Sequence, residues 1–301
     1  MSKISVVIPV HNEEGNIPQL FEELKAVLED IKRQKGYEYE VIFVNDGSTD
    51  NTLEVLKKIK KNGSFVRILN MDKNRGQAAG LSAGFYYATG EIIVSLDGDG
   101  QNDPKYIKDL INKLDEGYKV VTGYRIKRKA PLLTKRLPSK IANWLISKIT
   151  GLKVRDNGCS LKAYRSPIPK KWQIPKGMHR FLPALFGVKN EELCEIPVID
   201  RPRRFGKSHY GLKRTFEVLR DLFTIPFILK NPKKFEKTFK WLFIFSCFGT
   251  ILCGISSYFF PKMWYLTGFG VICSIYTGIV FKNLKRFNKA QEEGVFKVTE
   301  V

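Results

Sequence analysis

The sequence predicts an α/β domain with a mostly parallel sheet, followed by amphipathic interfacial helices and a two-helix transmembrane hairpin. Three observations predict it. Short β-branched apolar runs alternate with segments of helical period through the first half of the chain. A strongly basic stretch follows, and two uncharged apolar runs then stand almost back to back.

The runs at residues 4–10, 41–44, 66–69, 92–96 and 120–122 read as strands, and residues 17–32, 52–61, 77–89 and 106–114 as helices. Such alternation implies a parallel sheet covered on both faces. Open sheets of this kind bind ligands beyond the carboxyl ends of their strands, so the residues directly after each strand are the candidates for chemistry. The apolar run at the N-terminus is short, reaches Pro9 and gives way to His11-Asn12-Glu13-Glu14. It reads as a buried strand rather than a signal peptide, which keeps this domain in the cytosol.

The 301 residues include 51 Lys and Arg against 30 Asp and Glu, a formal charge of +21 that favours an anionic partner. Nucleic acid, a phosphorylated substrate and an acidic membrane surface all meet that description. Five cysteines, none in a C-x-x-C pair, argue against a disulfide framework or a zinc site. Residues 125–140 hold seven basic residues and no acidic one, interrupted by Pro131 and Pro138, and read as a basic loop before a helix over 141–150. Residues 156–202 show no clear periodicity.

Residues 201–240 contain twelve basic and three acidic residues, with Phe216, Val218, Leu219, Leu222 and Phe223 giving an amphipathic pattern suited to an anionic membrane surface. Residues 241–260 and 263–281 are uncharged runs of twenty and nineteen residues, parted by Pro261-Lys262. Each is long enough to cross a hydrocarbon core of about 30 Å. Basic flanks at 230–240 and 282–286 place both ends in the cytosol by the positive-inside rule. The expected organisation is a cytosolic domain over 1–200, a basic interface segment over 201–240, two spans over 241–281 and a cytosolic tail over 282–301. The protein is then multi-pass in the inner cell membrane, with both termini cytoplasmic.

The strongest local signal is Asp97-Gly98-Asp99-Gly100-Gln101-Asn102-Asp103-Pro104, directly after a predicted strand. Two carboxylates at alternate positions, with glycines between, can converge on one hard cation while Gln101 adds a neutral oxygen. Mg²⁺ or Mn²⁺ held there would bridge to a diphosphate and stabilise a leaving group. A calcium loop lacks its required spacing here, and a plain turn capped by Asp103 is the bland rival. Asp46, in Asn45-Asp46-Gly47-Ser48-Thr49-Asp50, is placed to accept from a base N–H or a ribose hydroxyl, although Ser48 or Asp50 in the same motif reads equally as a helix cap. Pro9 and Glu13 would form a third wall of the pocket. Arg75 either approaches nucleotide phosphates or stays solvated.

These segments, in this order and spacing, resemble the family 2 glycosyltransferases of GT-A fold, and further downstream the polyprenyl-phosphate sugar transferases, the dolichol-phosphate mannose synthase-like group. The resemblance runs from Ser5 to the second span. It implies that Asp46, Pro9 and Glu13 contact the donor nucleotide, and that Asp97, Asp99 and Gln101 hold the metal. It also implies that Arg125, in Gly123-Tyr124-Arg125, lies near the acceptor phosphate. In Asp156-Asn157-Gly158-Cys159-Ser160-Leu161-Lys162 the aspartate matches a residue assigned as catalytic base; Asp156 equally suits orienting a sugar hydroxyl or Lys162, or capping a turn. Lys162, together with Arg203 and Lys207 in the motif 203–211, is expected at the diphosphate or the acceptor phosphate, with generic lipid attraction as the alternative for the basic stretch. The family often carries Ala and Leu where this chain has Gly98 and Gly100, and a second carboxylate where it has Asn45.

The implied function is metal-dependent, inverting transfer of a hexose from a nucleotide sugar, UDP favoured over GDP, to undecaprenyl or dolichyl phosphate. The expected partners are therefore the donor, the lipid phosphate and the membrane, with room for a homo-oligomer. Another acceptor, such as lipid A or a surface glycan, is the nearest alternative, and a basic membrane-tethered binding protein is the alternative from another class. A nicotinamide enzyme would need G-x-G-x-x-G where Pro9-Val10-His11-Asn12 stands. Nucleic acid is disfavoured because the basic residues gather beside the spans and the crevice is lined by carboxylates. A processive synthase would need a Q-x-x-R-W motif and more spans.

Overall fold

The computed structural model describes residues 2–61, 63–126, 137–203, 205, 217 and 220–301. Two compact units emerge. One comprises residues 1–210 together with 294–301, and the other residues 211–293.

In the first unit the strands are β1 (Lys3–Val10), β2 (Glu38–Asn45), β3 (Val66–Met71), β4 (Ile92–Ser95), β5 (Val120–Arg125), β6 (Lys162–Arg165), β7 (Leu193–Val198) and β8 (Val298–Glu300). They form one sheet in the order β7-β5-β6-β4-β1-β2-β3-β8. β6 lies antiparallel between β4 and β5, β8 is antiparallel to β3, and the remaining pairs are parallel. The helices are α1 (Ile17–Lys35), α2 (Thr52–Lys61), α3 (Gln77–Tyr87), α4 (Ile107–Asp115), α5 (Leu137–Thr150) and the single turn α6 (Leu182–Leu185). The predicted strands and helices are all present, with ends displaced by a few residues.

β1, β2 and β4 are mainly apolar and are buried on both faces over most of their length, as parallel strands between helices must be. α1 shows the helical period: Ile17, Leu20, Phe21, Leu24, Leu28 and Ile31 are buried, and Gly36 closes the helix in a left-handed conformation. α3 is buried over most of its length because it is built from small residues. A Cβ on Gly84 would stand 2.1 Å from Val7 Cγ1, and one on Gly80 would stand 2.9 Å from Pro9 Cβ, so both glycines are needed for this close helix-to-sheet approach.

At the amino ends of the strands Glu40 is buried and saturated with donors. Its carboxylate accepts from Ser5 Oγ at 2.5 Å, Thr89 N at 2.7 Å and Thr89 Oγ1 at 2.8 Å, and it pairs with Lys3 at 3.2 Å and Arg67 at 3.3 Å. Arg67 continues to Glu300 on β8 at 2.7 Å, so one polar chain crosses four strands.

The division expected at residue 282 is not where the units part. The second long apolar helix continues to Glu293, and residues 294–301 return to the sheet as β8, with Phe296 against Tyr86 and Tyr87. An unpaired β3 edge with Arg67 beside it offers backbone and charge partners that no local pattern announces.

In the second unit α7 (Ile225–Lys230) precedes α8 (Pro232–Phe259) and α9 (Trp264–Glu293). α8 and α9 are long and apolar enough to cross a membrane, with mean hydropathies of 1.8 and 1.5 over their best windows. Their seam is small and polar: Ser246 meets Thr277 at 3.2 Å, Thr250 meets Ser274 at 3.3 Å, and a Cβ on Gly270 would collide with Thr250 Oγ1. This is how helices associate where apolar burial supplies no drive. Phe245, Phe248, Ile251, Phe269 and Ile272 face outward and are exposed. The basic-loop residues 127–136, and residues 204, 206–216, 218 and 219 of the interface segment, lie outside the described residues; beyond them Leu222, Ile225 and Ile228 are buried and Phe223 is exposed.

Glu40 generates a stability prediction. Burial pushes its pKa up, but the hydrogen bonds from Ser5 and Thr89 and the Lys3 charge outweigh burial and bring it down to about 2. A depressed carboxylate contributes stability that is present above its unfolded pKa and lost as pH falls through the folded value. Glu40→Gln is expected to cost roughly 2 kcal/mol at pH 7, with the penalty shrinking from pH 4.5 toward 2. Thermal unfolding of both proteins in detergent across that range checks it; a pH-independent difference contradicts it.

Candidate active site

The loops after β1, β2, β3 and β4 converge at the carboxyl end of the sheet. Asn12 adopts a left-handed φ of 56° and locks the first loop to the second: its N donates to Ser48 Oγ at 3.0 Å, and its Oδ1 accepts from Thr49 N at 2.8 Å. His11 Nδ1 lies 2.9 Å from the Asp46 carbonyl oxygen. Asp46, buried, accepts from Arg75 N at 2.6 Å and from Gly76 N at 2.8 Å, which ties the third loop to the second. Gly47 makes this possible. Its φ is +61°, and a Cβ there would stand 2.4 Å from Asn74 N.

Of the residues expected to contact the donor, Asp46 and Arg75 are brought together here, with two qualifications of role. Arg75 reaches Asp46 through its backbone, while its guanidinium pairs with Asp72 at 2.8 Å. Pro9 lies within buried β1 and packs against Gly80 rather than lining open space. The helix-cap reading of Asp50 also holds, since its Oδ1 accepts from Thr52 N at 3.0 Å. Asp103 likewise caps the turn at Pro104, accepting from Lys105 N.

Asp97 and Asp99 follow β4. Gly98 lies against Val10, where a Cβ would stand 2.5 Å from Val10 Cγ1, so the departure from Ala is a packing requirement set by β1. Asp97 Oδ1 accepts from Gln77 Nε2 at 2.6 Å. Burial and the neighbouring Asp99 push the Asp97 pKa up to about 6. Asp99 accepts from Gln101 N at 3.0 Å and pairs with Arg203 Nη2 at 2.7 Å; Arg203 also lies 3.8 Å from Glu13. The Gln101 side chain turns toward the Arg201 carbonyl at 3.4 Å. A crowded pair of hard oxygen donors fits a hard divalent cation. Among the described residues no group of three or more His, Cys, Asp and Glu is placed to hold a metal ion.

Of the residues expected near the acceptor, Arg125 at the end of β5 meets Asp156 in the loop before β6. Arg125 donates through Nε to Asp156 Oδ2 at 2.6 Å and through Nη2 to Asp156 Oδ1 at 2.9 Å, a bidentate pair, and Nη1 reaches Asp200 Oδ2 at 3.4 Å. Burial opposes the Arg125 charge, but Asp156 more than compensates and raises its pKa. Lys162 takes a different place from the one expected. The register pairs it with Ser95 on one side and Thr122 on the other, so it is buried in the sheet, and its ammonium donates to the carbonyls of Cys159 and Asn157. It secures the loop that carries Asp156. Lys207 lies outside the described residues.

Asp200, Gln77, Asn102 and Ser160 complete the site and were not singled out from sequence. Asn102 Oδ1 accepts from Asp97 N at 3.1 Å and from Ser160 Oγ at 2.7 Å, joining the two acidic loops. Asn102 and Ser160 lie inside motifs read from the sequence but carried no role of their own there, and Gln77 follows directly on Arg75-Gly76, whereas Asp200 carries no local signal.

The model of the family described as glycosyl transferase family 2 matches residues 5–169. The chain belongs to that family. This family 2 chain is 38% identical over 232 residues to dodecaprenyl-phosphate galacturonate synthase of Rhizobium johnstonii, covering 76% of its own length and 68% of the relative. It is 36% identical over 225 residues to undecaprenyl-phosphate 4-deoxy-4-formamido-L-arabinose transferase of Salmonella paratyphi A, covering 74% and 67%. Among solved structures, glucosyl-3-phosphoglycerate synthase from Mycobacterium tuberculosis, in complex with Mn²⁺, UDP and phosphoglyceric acid, superposes with a TM-score of 0.53 at 18% identity over 75% of this chain and 78% of that one. Mannosyl-3-phosphoglycerate synthase from Rubrobacter xylanophilus gives a TM-score of 0.54 at 10% identity, over 73% and 72%. At these identities the structures speak to the fold. The family 2 enzyme is a glycosyltransferase of GT-A fold.

Gly47 offers a test of the loop clasp. Gly47→Ala is strained by both its φ and the backbone contact, and is expected to weaken binding of UDP with Mn²⁺ at least ten-fold and to cost about 2 kcal/mol or more of stability. Isothermal titration and thermal unfolding measure the two; unchanged UDP affinity in a folded variant contradicts the clasp.

Proposed function

We propose that this glycosyltransferase moves a hexose from a nucleoside-diphosphate sugar, UDP favoured, to the phosphate of a polyprenyl phosphate at the cytoplasmic face of a membrane, with inversion. One observation carries the reading: the acidic strand-end pair Asp97 and Asp99 stands beside an arginine-based acceptor side, Arg125 with Asp156, in a chain that continues into two apolar helices of spanning length. Sequence relatives named for sugar transfer to dodecaprenyl and undecaprenyl phosphate support it.

Asp46, Glu13 and the amides around Gly76 would hold the nucleotide, and Asp97 and Asp99, with Gln101, would hold Mg²⁺ or Mn²⁺. The metal's contribution is charge on the departing diphosphate. The acceptor phosphate is already anionic, so the attack needs alignment and neutralised repulsion rather than a strong base. Arg125 supplies positive charge at the acceptor side, and Asp156 fixes its plane through both oxygens. Lys162 acts beneath them by fixing the 156–160 loop. Basic flanks before and after the hairpin support a cytoplasmic catalytic unit with both membrane ends on that side. The organisation into a catalytic GT-A unit, a basic interface and a hairpin anchor follows from the same reading.

Purified protein offered UDP- and GDP-sugars with Mn²⁺ or Mg²⁺ is expected to release nucleoside diphosphate only when a short polyprenyl phosphate is present. Asp99→Asn is expected to lower that rate by about 10²-fold or more. Lipid-independent release, or release undiminished in the variant, contradicts the assignment, and transfer to lipid A or a glycan alone would replace the acceptor.

A further inference from the structure

Residues 199–203, with Phe205, form a strap over the acidic loops. Arg201 N donates to the Gln101 carbonyl at 2.8 Å, and the Arg201 side chain pairs with Glu23 and, at 2.9 Å, with Asp103. Phe205 lies against Gly15, where a Cβ would come within 3.1 Å of its ring. Between these two anchors Arg203 reaches inward, 2.7 Å from Asp99 Oδ2 and 3.8 Å from Glu13 Oε1. The alternate residues 201, 203 and 205 thus all hold the strap down, and the central one inserts a positive charge among carboxylates.

We propose that Arg203 is an internal counter-ion that occupies the cation position at Asp99 in the donor-free enzyme and is displaced when the metal arrives with the nucleotide. The inference rests on the reading of Asp97 and Asp99 as the metal pair. The guanidinium uses the Asp99 oxygen that a metal would need. A divalent ion beside an undisplaced Arg203 would also face a like charge a few ångströms away, without enough anion to offset it. A nucleoside diphosphate changes that balance: it brings anionic oxygens for both cations, and a released Arg203 is a bidentate donor for phosphate. Metal alone should therefore bind poorly, and metal with diphosphate well. The chemical consequence is ordered loading, with the acidic pocket neutralised by the chain itself until a donor is present.

Binding of Mn²⁺ to the full chain in detergent, followed by electron paramagnetic resonance, tests this without reference to turnover. Arg203→Gln is expected to bind Mn²⁺ in the absence of nucleotide about ten-fold more tightly than the wild type, because a like charge at contact distance is removed. Arg203→Lys, which keeps a compact charge on a looser stem, is expected between the two. Addition of UDP should tighten Mn²⁺ binding strongly in the wild type and less in Arg203→Gln, narrowing the gap. Circular dichroism of each variant confirms that it is folded. Equal or weaker nucleotide-free binding in folded Arg203→Gln overturns the counter-ion role while leaving the metal reading intact, provided that the wild type binds Mn²⁺ with UDP. Failure of the wild type to bind Mn²⁺ even with UDP overturns the metal reading, and the counter-ion role with it.

Discussion

Carboxylate crowding at the carboxyl end of the sheet is the constraint around which the catalytic unit is arranged. Glu13, the pair Asp97 and Asp99, Asp156 and Asp200 come from four separate loops, and bringing them together costs free energy that must be offset by positive charge. Two arginines do this. Arg125 takes Asp156 and Asp200, Arg203 takes Asp99 and Glu13, and Lys162 lies buried beneath. Asp97 pairs with neither arginine at bonding distance; its carboxyl accepts from the neutral amide of Gln77 and has its pKa raised by burial and Asp99. That mixture of carboxylates and arginines is what the proposed transfer from a nucleoside diphosphate to a phosphate acceptor would use.

The surrounding fold keeps these charges from relaxing apart. Helix α3 approaches the sheet on glycines, and its first residue, Gln77, is thereby delivered to Asp97. Gly98 lets the β4 loop lie on the end of β1, and Gly47 lets the β2 loop lie on the β3 loop. Asn102 bonds both to the Asp97 amide and to Ser160, which ties the β4 loop to the loop before β6. The glycines here act through the closeness of approach they permit, and each is a point where a single methyl group would push charged loops apart.

Antiparallel β6 has a particular consequence. Inserted between β4 and β5, it pairs Lys162 with both Ser95 and Thr122 and leads the preceding loop, with Asp156, across the top of the sheet to Arg125. The Glu40–Arg67–Glu300 chain at the opposite end performs a purely structural task by joining the tail strand to the sheet. The same types of residue thus serve stability at one end of the strands and chemistry at the other.

The alternation of apolar runs with helical periods was sufficient to give the parallel sheet, because burial of a strand or a helix face is written in a local period. The two long apolar helices were legible for the same reason, as was the position of Asp46, Asp97 and Asp99 directly after strands. Residues 156–202 were not legible: their strands are four and six residues long, and their pairing is set by β4 and β5, far away in sequence. Tertiary structure alone decided that Arg75 spends its guanidinium on Asp72, that Lys162 is enclosed, that Asp200 joins Arg125 and that residues 294–301 return to the sheet. Each of those outcomes depends on which charge or backbone edge is left unpaired once the chain has folded, and a sequence pattern carries no record of that.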